Sequence, residues 1–130
     1  MATFKKFEDI EAWQKARILS QQINTISKYP NFREDPDLKR QIKRSVGSAM
    51  DNIDEGFERG SKKEFVQFLS ISKGSVGETR SQLYRALDQE IVTQEQFDKL
   101  CKLSEEISKM IEGLMSYLRK SELKGPKYKL

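Results

Sequence analysis

An all-α chain folded as an antiparallel up-down four-helix bundle is what this sequence predicts. Three observations carry that reading. Apolar residues recur at three- and four-residue steps through four long segments, glycine, proline and polar breaks separate those segments, and no stretch alternates apolar with polar as a half-buried strand would. A chain of 130 residues is long enough for one buried core and too short for two, so one domain is expected. The composition, 36% hydrophobic and 34% charged with 3 Pro and 7 Gly, suits helices that bury one stripe and hydrate the other.

The first helix is predicted over about 8–29, with Ala12, Ala16, Leu19, Ile23 and Ile26 on one face and Pro30 closing it. Ile10, Trp13 and Ile18 fall off that stripe and ask for apolar neighbours on another side. A polar connection through Asn31, Arg33 and Pro36 leads to the second helix, about 37–59, whose line is Leu38, Ile42, Val46, Ala49, Ile53 and Phe57. Gly60 and Ser61 break it. Ser61 and Glu64 have the spacing of a capping box, which opens the third helix over about 61–89. Its apolar line runs through Phe65, Leu69, Ser72, Val76, Thr79, Leu83 and Leu87, with Ile71 and Tyr84 left over. Thr93 and Gln96 form a second capping-box pair, and Phe97, Leu100, Leu103, Ile107, Ile111, Leu114 and Leu118 define the fourth helix over about 93–121. Gly125 and Pro126 end it, leaving 122–130 as a basic disordered tail.

The sequence has no histidine, which removes the Glu-x-x-His pairs of di-iron bundles and every nucleophile that relies on an imidazole base. The one cysteine, Cys101, cannot form an intrachain disulfide, and with no apolar leader or membrane-length span the reading is a reduced, cytoplasmic setting. Asp51, Asp54, Glu55 and Glu58 spread around the second helix, so no metal site is expected. Gly74-Ser75-Val76-Gly77 resembles a piece of a phosphate loop, but it lacks the preceding strand and the lysine-serine pair. Two helix-interior glycines there suggest instead the close approach of another helix. No catalytic residue, cofactor, membrane partner or small-molecule substrate is expected.

Charge is more informative by position than by sum. The net charge is +4, and the stretch from Arg119 onward, with Lys120, Lys124, Lys127 and Lys129 against Glu122, accounts for all of it. That tail serves either solubility or weak attraction to polyanions. Within the neutral body, Lys39, Arg40, Lys43 and Arg44 fill the first half of the second helix, and Asp51, Asp54, Glu55 and Glu58 the second half. This order opposes the helix dipole. A neighbouring subunit that sets basic end against acidic end would compensate, and together with Trp13, Ile18, Ile71 and Tyr84 as spare apolar surface it suggests a head-to-tail ring.

A seam of small and polar residues flanks two stripes: Ser45, Ser48, Asn52, Glu55 and Gly56 on the second helix, Ser72, Ser75, Glu78 and Thr79 on the third. Either it is a structural hydrogen-bond network or it lines a ligand pocket. Buried, its hydroxyls, amide and carboxylates must pair with one another.

Several of these residues also carry a resemblance. Phe7-Glu8-Asp9-Ile10-Glu11-Ala12-Trp13-Gln14-Lys15-Ala16, together with Arg44-Ser45, Ser48, Asn52-Ile53, Glu55-Gly56, Arg59-Gly60-Ser61, Glu64-Phe65, Phe68-Leu69 and Gly74-Ser75 through Glu78, is similar to the four-helix-bundle proteins encoded in intervening sequences of bacterial 23S ribosomal RNA genes. Ala49-Met50 stands where many relatives have isoleucine-proline, so a proline kink is not expected. The resemblance implies an up-down bundle, a barrel-like homopentamer and no enzymatic activity. Distant members act as adaptors beside the reverse transcriptases of diversity-generating retroelements, which implies RNA or an RNA-handling protein as partner. Lys39, Arg40, Lys43, Arg44, Arg59, Lys62 and Lys63 are the candidate contacts. A protein-binding scaffold with no nucleic-acid partner is the alternative.

Overall fold

The computed structural model describes residues 4–120, and the tail expected over 122–130 lies outside them. Four helices follow in order: α1 (Glu11–Ile26), α2 (Pro36–Glu58), α3 (Lys62–Asp88) and α4 (Gln94–Lys120), with 3-10 turns at Phe7–Asp9 and Pro30–Glu34. Each packs on its neighbours in the chain, α1 also packs on α4, and the diagonal pairs do not meet. The result is a closed square of helices. The α2–α3 side has the most extensive contact.

The helix limits have local causes. Asp35, ahead of Pro36 at the first helical position, accepts the Leu38 amide at 3.0 Å through Oδ1 and starts α2. Its carboxyl is held below the usual range by the Gln89 side-chain bond, then by the Leu38 amide, with Arg85 adding its charge. Gly60, at φ +77°, supplies the left-handed residue that lets the chain leave α2, and Ser61 Oγ accepts the Glu64 amide at 3.3 Å to start α3. Thr93 and Gln96 make the reciprocal pair expected of them, at 3.1 and 2.8 Å. The end of α3 is a Schellman motif: Glu90, at φ 60°, donates to Leu87 O at 2.9 Å and Ile91 donates to Ala86 O at 2.8 Å.

Several expectations change at the edges. α1 is shorter than about 8–29, because the chain turns twice through 3-10 geometry rather than extending the helix. Ile10, expected off the stripe, is 1% exposed and sits in the core at the mouth of α1. The supposedly polar α1–α2 connection buries Phe32, and the α3–α4 turn buries Ile91 and Val92. On α4 the innermost line runs through Cys101, Ser104 and Met115, and Leu103 and Leu114 are only half-buried, as is Leu87 on α3. The two connections lie at the same end of the bundle and touch: Gln89 Nε2 donates to Asp35 Oδ2 at 2.9 Å, and Asn31 Nδ2 reaches Glu90 O at 3.5 Å. Cys101 is buried with its thiol free, and burial pushes its pKa up.

Candidate nucleic-acid interface

The polar seam between α2 and α3 is real and mostly internal. Ser45 Oγ lies 2.6 Å from Gln82 Oε1 and 2.8 Å from Thr79 Oγ1, and Ser48 Oγ lies 3.0 Å from Ser75 Oγ. Ser72 Oγ donates to Ala49 O at 2.6 Å, and Asn52 Nδ2 donates to Ser48 O at 2.8 Å. Gly56 is where the helices come closest. A Cβ there would stand 2.7 Å from Phe68 Cβ, so only glycine fits. Buried hydroxyls satisfied in this way hold two helices in register at little net cost.

Of the carboxylates assigned to the seam, Glu55 lies away from it and Glu78 only edges its outward mouth. Glu55 and Glu78 are exposed, and Glu55 pairs with Arg59 at 3.2 Å on the helix surface. Helical spacing put them beside the stripe, but on the flank that the neighbouring helix leaves uncovered. Gln82 takes the place expected for a carboxylate. Its signal was legible, since Ser72, Ser75, Thr79 and Gln82 continue one polar line at three- and four-residue steps. The seam opens outward into a cleft of about 250 Å³ that Gln41, Arg44, Ser48 and Glu78 help to line. Arg85 borders the same region by donating to Gln41 Oε1 at 2.7 Å.

The seven candidate cations do not form one surface. Lys39, Arg40, Lys43 and Arg44 lie in the first three turns of α2, and Arg59, Lys62 and Lys63 at the α2–α3 corner, about 22 Å further along the helix axis at 1.5 Å per residue. Arg59 is engaged twice, by Glu55 and by the face of Phe68, 5.0 Å from its guanidinium carbon. Lys62 is half-buried with contacts of its own, and Lys63 is exposed. Arg40 pairs with Asp37 one turn before it. Lys39, Lys43 and Arg44 have no hydrogen bond or ion pair among the described residues, whereas Lys15, Lys73 and Arg80 each meet a glutamate of α4.

Between the two basic groups lies the acidic half of α2. Asp54 is raised above the usual carboxylate range, first by partial burial and then by Asp51, Glu55, Glu58 and Glu8. The carboxylates therefore repel one another, though among the described residues no group of them is arranged to hold a metal ion.

The apolar residues proposed for contact with other copies divide. Ile18, Ile71 and Tyr84 are 40%, 52% and 53% exposed, but Trp13 is half-buried, with its ring 5.0 Å from Phe7 in an edge contact. Tyr84 leans on Phe97 at 4.7 Å. Gly74 and Gly77 face open space, so no helix of this chain makes the close approach expected there, and Gly47 does the same on α2. No helix among the described residues is long and apolar enough to cross a membrane.

Comparison with known proteins agrees with this picture. A family model described as 23S rRNA-intervening sequence protein matches residues 8–113. The fold is similar to the crystal structure of a protein of unknown function from the S23 ribosomal protein family of Bacteroides thetaiotaomicron, with a TM-score of 0.73 and 24% identity over 80% of this chain and 97% of that one. No curated protein matches.

Proposed function

The chain belongs to the 23S rRNA-intervening sequence protein family, and from that premise we propose that it is a non-enzymatic, self-assembling adaptor whose α2 offers a basic surface to RNA or to an RNA-handling protein. The observation that carries this reading is the state of Lys39, Lys43 and Arg44. Lys15, Lys73 and Arg80 are each held by a glutamate of α4, whereas these three stand close together on the first turns of one helix with no carboxylate of their own. Phosphates binding there would release counterions, so affinity must fall steeply with salt. The lack of histidine supports a binding role over catalysis. Repetition of the surface in a homo-oligomer, five copies in the ring that the resemblance implies, would turn weak contacts into avidity.

The test is binding of a labelled RNA hairpin to the full chain at about 50 and about 200 mM salt. The double substitution Lys43→Glu with Arg44→Glu is expected to weaken binding at least about tenfold at the lower salt. Equal binding by the variant, or no binding by either, would sink the nucleic-acid reading. Light scattering reads the assembly in the same samples, where a ring of five has five times the 15.2 kDa chain mass. The second reading, a protein scaffold with no nucleic-acid partner, is favoured by one observation. The acids of α2 stand on the same helix as its free cations and lower the potential an RNA would feel.

A further inference from the structure

Between Arg40 and Asp54 the outward face of α2 carries a charge order that reads the same from either end with the signs exchanged. Arg40, Lys43 and Arg44 precede Gly47, and Asp51 and Asp54 follow it, on the side away from the buried stripe, Asp54 half-buried and the other four charges exposed. Arg40 and Asp54 stand at equal distances from Gly47 along the sequence, as do Lys43 and Asp51, with Arg44 one residue nearer. Glycine weakens a helix interior relative to alanine, yet a Cβ at Gly47 would meet nothing within 4 Å, so the chain's own packing gives no reason for it. Small residues at a crossing point let two helices approach closely.

We propose that α2 docks antiparallel against α2 of a second copy about a dyad at Gly47, with Lys43 and Arg44 facing the partner's Asp51 and Arg40 facing the partner's Asp54. Each pair occurs twice by symmetry. A parallel arrangement would set like charge against like. The antiparallel one also relieves the opposition between this charge order and the helix dipole, because each basic end meets an acidic end and the two dipoles lie antiparallel. Unlike the head-to-tail ring expected from the sequence, this contact brings residue 47 of one chain against residue 47 of the other.

The contact goes beyond the polyanion reading, since it needs no nucleic acid, but it draws on the same cations. A docked chain has Arg40, Lys43 and Arg44 covered. RNA and the second copy therefore exclude each other, and a polyanion at low salt separates the pair.

The geometry is tested by Gly47→Cys in a Cys101→Ser background, under mild oxidation and read on a non-reducing denaturing gel. A symmetric disulfide should yield a two-chain product at least about tenfold faster than Gly113→Cys in the same background, whose site on α4 is equally open. Adding Arg40→Glu and Arg44→Glu should abolish it. Mixing that charge-reversed chain with one carrying Asp51→Arg and Asp54→Arg should restore the product between unlike chains, which also shows that both variants fold. Equal rates at positions 47 and 113, or a rate at 47 indifferent to charge reversal, would overturn the dyad. Crosslinking that RNA at low salt leaves unchanged would count against the polyanion reading alone.

Discussion

Gly56 and Gly47 occupy one helix, and their surroundings are opposite. At Gly56 the inner face of α2 is pressed against Phe65 and Phe68, and a single added carbon has no room. At Gly47 the outer face is open and lined with charges, of which only Arg40 has an ion-pair partner among the described residues, Asp37. The same residue type is thus explained by this chain's packing in one case and by nothing within this chain in the other. Structural and intermolecular demands on α2 are separated by half a turn of helix.

That contrast can be broken most sharply at Gly56. Gly56→Leu should cost about 3 kcal/mol, because overpacking forces the α2–α3 contact apart, and urea denaturation of the variant would show it as a lower midpoint. Next in size is the seam above it: Ser45→Ala strips Gln82 and Thr79 of their shared partner and should cost about 1 to 3 kcal/mol in the same measurement. On the outer face the sign reverses. Gly47→Ala, with room for its methyl group, should stabilise the single chain by about 1 kcal/mol at a protein concentration too low for assembly. The smallest effect belongs to Asp54. Its folded pKa is raised, so the native state binds the proton more tightly than the unfolded chain does, and stability is lost as pH rises through the unfolded value toward the folded one. Asp54→Asn should therefore raise the thermal midpoint slightly at about pH 7 and leave it unchanged at about pH 3, where the native carboxyl is already protonated.

The four helices were legible because a stripe repeated over four or more turns is a strong periodic signal, and lines such as Leu38, Ile42, Val46, Ala49 and Ile53 are buried as read. Phe32, Ile91 and Val92 were not, since a lone apolar residue in a connection has no period to betray it. Caps were legible as residue pairs, Thr93 with Gln96 above all. The seam was half legible. Spacing identifies both flanks of a stripe but cannot say which flank the next helix covers, so Ser45 and Ser75 are buried in the seam while Glu78 stays at its open mouth and Glu55 lies outside it. The separation of 39–44 from 59–63 was legible too, since a helix over about 37–59 already sets them at its two ends, but the engagement of Arg59 by Glu55 and Phe68 was not. Trp13 was read as spare surface because its partner, Phe7, belongs to a turn outside the helical pattern.

The buried thiol of Cys101 gives the bundle an internal clock. It lies on the core side of α4, and burial raises its pKa, so little thiolate forms and little reagent reaches it while the helices stay together. Labelling by a thiol reagent then proceeds only through openings that part α4 from its neighbours, and its rate reports how often they occur. Substitutions on the inner face of α2 should quicken that reaction, and those on the outer face should slow it or leave it alone. One cysteine thereby offers a reading of the bundle's breathing that needs no added probe.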